Sequence, residues 1–216
     1  MTTKSDRSIK KIVVFCIYML AAFIIFYHIS DSPIQEWDES RRGINAHTMI
    51  QSGDYWNYRY LSQFDNFNTK PPLFTWVLAG SFSAIGVSNF ALRLPNAIFF
   101  LLLFLLVDIS IARHTEFKFR AILLCILLSA EGLVGLHVGR SGDTDMLFVL
   151  GISVFFIGFY KVATQQKTAA WLYASILGLI LAILTKGIAI GLIIPGVCVW
   201  GFWNKELVKK NISFLK

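Results

Sequence analysis

The chain has 216 residues, 56% of them hydrophobic and 15% charged, with a mean hydropathy of +0.61. Soluble domains average about 25% charged residues, so this composition excludes an ordinary soluble globular protein and predicts an all-α, polytopic membrane protein. The net charge of +7 does not signal a nucleic-acid partner, because the basic residues are scattered between apolar segments with no aromatic platform among them.

In chain order, the apolar runs cover residues 12–29, 71–86, 90–112, 121–138, 146–160, 169–184 and 187–203. The first is longer than a signal-peptide core and no small-x-small cleavage site follows it, so it reads as a retained anchor. The second is short for a membrane crossing, which takes about 20 residues, and it carries Thr75, Ser81, Ser83 and two glycines. Cys16, Cys125 and Cys198 lie inside apolar runs without metal or disulfide spacing and read as small hydrophobes.

The distribution of Lys and Arg decides what the 71–86 run does. Lys4, Arg7, Lys10 and Lys11 place the N-terminus in the cytoplasm. If residues 71–86 lie along the outer interface, Arg113, Lys118, Arg120, Lys161, Lys167, Lys205, Lys209, Lys210 and Lys216 also fall inside. Arg41, Arg42, Arg59, Lys70, Arg93, Arg140 and Lys186 remain outside. A crossing would invert every later loop. The expected layout is a cytoplasmic segment 1–11, a first span 12–29, and an extracytoplasmic loop 30–89 with an interfacial helix 71–86. Five further spans follow over 90–203, then a tail 204–216.

This threading brings three polar stretches to the outer face. Residues 35–43, Gln-Glu-Trp-Asp-Glu-Ser-Arg-Arg-Gly, hold three carboxylates and two arginines. Residues 139–145, Gly-Arg-Ser-Gly-Asp-Thr-Asp, and 185–187, Thr-Lys-Gly, supply the others. Each has a bland reading: Asp143 and Asp145 as caps of the following helix, and Lys70 as a lysine snorkelling to the interface. Lys186, between two apolar runs, would be costly to bury alone. Glu131 inside an apolar run could pair with a neighbouring span. Tyr55, Trp56, Tyr58, Tyr60, Phe64, Phe67 and Trp76 suit interface anchoring. The four histidines, His28, His47, His114 and His137, show no ligand spacing.

The ordered motifs are Trp37-Asp38-Glu39-Ser40-Arg41, Ser52-Gly53-Asp54-Tyr55-Trp56, Lys70-Pro71-Pro72-Leu73, Phe90-Ala91-Leu92-Arg93-Leu94-Pro95, Asp145-Met146-Leu147 and Leu184-Thr185-Lys186-Gly187. Together they resemble the N-terminal half of the GT-C class of membrane glycosyltransferases. The branch is that of the lipid A aminoarabinose transferases and protein O-mannosyltransferases. The resemblance spans roughly residues 36–195. It implies a polyprenyl-phosphate sugar donor, transfer on the non-cytoplasmic side of a bacterial plasma membrane, and a lipid, protein or glycan acceptor. It also implies a catalytic pair Asp38 and Glu39, and a second acidic position at Asp145, with Asp143 a two-residue slip away. Lys70 and Lys186 would bind the donor phosphate, with Arg41 and Arg140 in support. Some relatives place a metal-contacting Glu before the KPP lysine. Thr69 stands there in this chain, so no metal is carried over and a divalent cation stays an open addition.

The chemistry agrees with those residue types. A nucleophile attacks the anomeric carbon as a phosphate leaves, so cations that neutralise the leaving group matter more than an acid. Asp38 would serve as base or orienter for an acceptor hydroxyl. The competing classes are a lipid-linked glycan transporter or flippase subunit and a catalytically silent assembly factor.

Overall fold

In the computed structural model, residues 4–205 are described apart from 62, 113, 136–137, 165–168 and 192. Arg113, His137, Lys167, Lys209, Lys210 and Lys216, which enter the reading above, lie outside them. Helix dominates. The helices are α1 (Lys4–Phe26), α2 (Asp38–Ser52), α3 (Leu73–Ile85), α4 (Asn89–Ile111), α5 (Phe117–Ser129), α6 (Glu131–Val134), α7 (Asp145–Ala163), α8 (Ala169–Ile190) and α9 (Ile193–Trp203). A two-stranded antiparallel hairpin, β1 (Arg59–Tyr60) and β2 (Gln63–Phe64), follows α2.

The chain divides into two compact units. The first comprises Met1–Asn66 and Thr75–Met146, the second Phe67–Phe74 and Leu147–Lys216. In the first, α1 buries Ile17, Ala21 and Ile25, spaced four apart on one stripe, and leaves Phe15, Met19 and Phe23 exposed. Tyr18 meets Phe104 of α4 edge to face at 5.1 Å and donates to Asp108 at 2.9 Å. Arg120 of α5 grips the same carboxylate through two bonds of 2.6 and 2.7 Å. These contacts tie α1, α4 and α5 at one end.

Pro95 sits inside α4 and has no N–H to give the Ala91 carbonyl four residues back. Ser81 of α3 donates to that carbonyl at 2.6 Å, which replaces the missing bond. Ser88 caps the same helix by accepting from the Ala91 amide.

In the second unit, α7 and α8 approach at glycines. A Cβ on Gly178 would lie 2.5 Å from the Phe155 nitrogen and 2.6 Å from the Gly151 carbonyl oxygen. One on Gly158 would lie 2.8 Å from both Trp171 O and Ser175 N. Ser175 adds a hydrogen bond to the Phe155 carbonyl at 3.1 Å. Backbone-close contact through small residues is how helices hold together where hydrocarbon removes the hydrophobic drive.

Four helical stretches have the length and composition to cross a membrane: Ser5–Phe26, Asn89–Ile111, Asp145–Ala163 and Ala169–Ile190. This is a helical, polytopic membrane protein. The other two expected spans come out shorter. The 121–138 run breaks at Ala130, where ψ is 96°, into α5 of 13 residues and α6 of 4. The 187–203 run yields only the 11 residues of α9, because α8 continues to Ile190. Helix α3 has 13 residues, a rise of about 20 Å against the roughly 30 Å of bilayer hydrocarbon. It stops at Gly86, whose positive φ of 83° suits glycine.

Residues 38–52 differ most from the sequence reading, which treats them as loop. They form α2, a helix whose buried face is Glu39, Arg42, Asn45, Ala46 and Met49. Most of that face is polar, so hydrophobic periodicity does not register it. Gly53, at φ 70°, closes the helix by donating to the Met49 carbonyl.

Candidate active site

Within the first unit, the start of α2 meets the 139–145 loop. Glu39 and Arg93 are each 1% exposed and form the centre of the contact. Arg93 donates to Glu39 Oε1 at 2.7 Å and Oε2 at 2.9 Å, and to the carbonyls of Ile29, Ser32 and Pro33 at 2.8–2.9 Å. A guanidinium has five N–H donors, and here each has an acceptor. Glu39 in turn accepts from the Gly142 amide at Oε1 and the Gln35 amide at Oε2, both at 2.8 Å. The carboxylate's roughly four lone-pair sites are thereby filled. The pair fastens the connection between α1 and α2, the start of α2, α4 and the 139–145 loop to one another. Glu39 faces inward, while its neighbour Asp38 is exposed at the first position of α2.

Asn96, one turn beyond Arg93, pins the same loop. Its amide donates to the carbonyls of Val138, Ser141 and Asp143 at 3.3, 2.7 and 2.6 Å. Gly142 is required by packing, since a Cβ there would lie 2.6 Å from both Cγ and Cδ1 of Leu92. Asp143 is buried with its carboxylate 3.8 Å from Arg42 Nε, and Thr144 donates to it at 3.3 Å. Asp145 is half-buried and opens α7, where a carboxylate complements the helix dipole.

The structure thus joins two of the three expected polar stretches. The two supporting arginines have partners within the first unit. Arg41 pairs with Asp65 at 3.0 Å and lies over the Trp37 and Tyr60 rings at 5.2 and 5.4 Å. Asp65, which also accepts from Asn45 at 3.1 Å, has no signal in the sequence, because only the hairpin brings it back to α2. Arg140 donates to the Tyr27 carbonyl. Arg93 was legible in principle: an arginine near the start of an apolar helix needs a buried partner.

Trp37 precedes Asp38 with φ 76° and ψ −85°, a strained backbone region for a residue with a side chain. It is 66% exposed. Nearby, Trp56 packs edge to face on Trp76 at 5.3 Å, and Trp76 donates to the Tyr55 carbonyl. Burial pushes the Tyr58 phenol above its ordinary pKa, so it stays neutral, and Thr75 donates to it at 3.4 Å. Hydrogen bonds from Asn57 hold Asp54 below the usual carboxylate range.

In the second unit, Lys70 and Lys186 line one open cavity of about 570 Å³ with Thr69, Pro71, Gly187 and Ile188. The backbone at Lys186 leaves helical geometry, with φ −142° and ψ 69°. The break lets Gly187 come against Pro71, whose Cγ would lie 3.8 Å from a Cβ placed there. Lys186 Nζ is 6.0 Å from the Phe148 ring centroid. The KPP and TKG motifs therefore share a cavity, and the helix breaks at the second lysine. Among the described residues no three His, Cys, Asp or Glu side chains gather as a metal site.

The fold is that of a GT-C class membrane protein. A family model described as dolichyl-phosphate-mannose-protein mannosyltransferase matches residues 69–216, and the chain belongs to that family. Two solved structures share the fold, both of ArnT from Cupriavidus metallidurans. The one bound to undecaprenyl phosphate has a TM-score of 0.76 and 22% identity over 89% of this chain and 36% of that one. The apo structure has a TM-score of 0.74 and 21% identity over 93% and 39%. The chain thus spans well under half the length of the proteins it resembles. No curated protein matches the chain.

Proposed function

We propose that this chain carries the lipid-linked-donor side of a glycosyltransferase, moving a sugar from a polyprenyl phosphate to an acceptor. The acceptor oxygen attacks the anomeric carbon, the bond from that carbon to the phosphate oxygen breaks, and polyprenyl phosphate leaves with the electron pair. One observation carries the reading: Lys70 and Lys186, far apart in sequence, line the same cavity. Two ammonium groups there would neutralise the leaving phosphate as its charge develops. Family membership and the fold shared with an undecaprenyl-phosphate-bound protein support a polyprenyl phosphate as the lipid.

Asp38 takes the proton of an acceptor hydroxyl, or orients the donor sugar where the acceptor is already an anion. Glu39 acts as a positioning residue through Arg93 and Gly142. Asp145 is the second acidic group, with Asp143 held as partner of Arg42. Arg41 and Arg140 support the site's architecture, leaving phosphate binding to the lysines. The six-span topology with α3 on the outer leaflet, a bacterial inner membrane and a periplasm-facing site complete the proposal.

The test uses full-length protein in lipid vesicles with a labelled polyprenyl-phosphate sugar. Asp38→Asn should lower transfer by about 10²–10⁴-fold at unchanged expression. Lys70→Ala should weaken donor retention. Wild-type transfer by Asp38→Asn removes Asp38 from catalysis, and wild-type donor binding by Lys70→Ala together with Lys186→Ala overturns the cradle.

A further inference from the structure

A second cavity lies in the first unit, at the end where α1 begins, α4 ends and α5 begins. Its volume is about 620 Å³. Lys10, Lys11 and Arg120 give it three cations, while Val14, Phe15 and Tyr18 give it an apolar wall that runs along α1. No proposed step of sugar transfer uses any of these residues.

The cations are held in place. Arg120 is fixed by two bonds to Asp108, which also accepts from Tyr18. Two of the guanidinium's five N–H donors are thus engaged with the carboxylate, and the others can take an anion. Lys10 pairs with Asp6 at 3.1 Å and lies 5.8 Å from the Phe117 ring centroid. Asp6 and Asp108 offset two of the three positive charges, and Glu116 is engaged by Lys118 at 3.5 Å. Among the described residues no carboxylate pairs with Lys11. The first turn of α5, which supplies Phe117 and Arg120, adds the partial positive charge of a helix N-terminus.

We infer that this cavity binds the headgroup of an anionic phospholipid. Its phosphate would sit among Lys10, Lys11 and Arg120, with an acyl chain along Val14 and Phe15. The pairing of cations with an apolar wall favours a lipid over free phosphate. Phe15 is 62% exposed, on a helix long and apolar enough to cross a membrane. Basic pockets between spans on the side of the membrane rich in anionic lipid recognise such headgroups. The inference needs only the spanning character of α1 and α4, not the transferase reading.

The experiment is native mass spectrometry of the purified full chain titrated with phosphatidylglycerol or phosphatidylcholine. Wild type should retain phosphatidylglycerol preferentially. Lys10→Gln with Lys11→Gln should weaken that retention by about tenfold or more. Val14→Trp, which fills the cavity without changing charge, should weaken it too. Arg7→Gln with Lys118→Gln removes equal charge beside the cavity and should change nothing. Equal losses in both double variants would mean diffuse surface attraction and overturn the site, as would unchanged retention in Lys10→Gln/Lys11→Gln or in Val14→Trp. Displacement of the lipid by millimolar inorganic phosphate would reassign the cavity to a free anion.

Discussion

Arg93 and Glu39 form a closed set of bonds, and that closure makes a sharp prediction. Lysine keeps the charge but has three donors to the five that Arg93 uses. Arg93→Lys should therefore destabilise the first unit nearly as much as removing one partner of a buried pair, about 3–5 kcal/mol. Thermal unfolding in detergent would read this. Glu39→Gln should do likewise, because one carboxylate oxygen becomes an amide nitrogen facing N–H donors. A loss of transfer in Glu39→Gln at wild-type melting temperature would instead return Glu39 to the chemistry. The sequence singled out the motif containing Arg93 and the pair containing Glu39 but did not connect them. Adjacent carboxylates look equivalent in sequence. Only the helical turn that points one inward and the other outward separates their roles.

At the scale of elements, the apolar runs located the cores of the spanning helices to within a few residues, because burial in lipid or protein demands a continuous hydrophobic stretch. The ends moved for local reasons. Helix α1 starts at Lys4, well before its apolar run, with an Asp6–Lys10 pair one turn apart supporting its first turns. Helix α8 runs past its lysine because only Lys186 itself departs from helical angles. The Ser81–Ala91 bond was beyond sequence reasoning, since it joins a serine to a carbonyl freed by a proline on another helix. Ser81→Ala should strand that carbonyl and cost about 1–3 kcal/mol. Ser81→Ala combined with Pro95→Ala should recover most of the loss, because the helix regains its own bond. In the second unit, Gly178→Leu should force α7 from α8 at a cost of at least 1–3 kcal/mol, visible as a lower unfolding temperature in detergent.

For the whole molecule, the candidate groups fall by unit: carboxylates and their supporting arginines in the first, phosphate-binding lysines in the second. The sequence predicted that the polar stretches share a membrane face, and that expectation is directly testable. Single cysteines at Asp38, Asp145 and Lys186, in a background lacking Cys16, Cys125 and Cys198, should react with an impermeant thiol reagent from outside. A cysteine at Lys11 should react only after the membrane is opened. Asp145 labelled from the cytosol would mean that α3 crosses, and the outer-face assignment would fall. The three native cysteines are exposed and free, so their removal should leave the fold intact.

Synthesis gives the Arg93–Glu39 bond a further meaning. The two residues are 54 positions apart, so Glu39 leaves the ribosome well before its counter-ion. Gly142, its other distant donor, follows 103 positions after it. Until then only Asp65, through Asn45 and Arg41, holds the polar side of α2, and a nascent chain that has emerged only as far as residue 92 should be cut by protease within 38–52. A chain stalled beyond the emergence of residue 142 should resist. The order of translation thus becomes a checkpoint, in which the start of α2, Asp38 included, is set in place only once Gly142 has emerged.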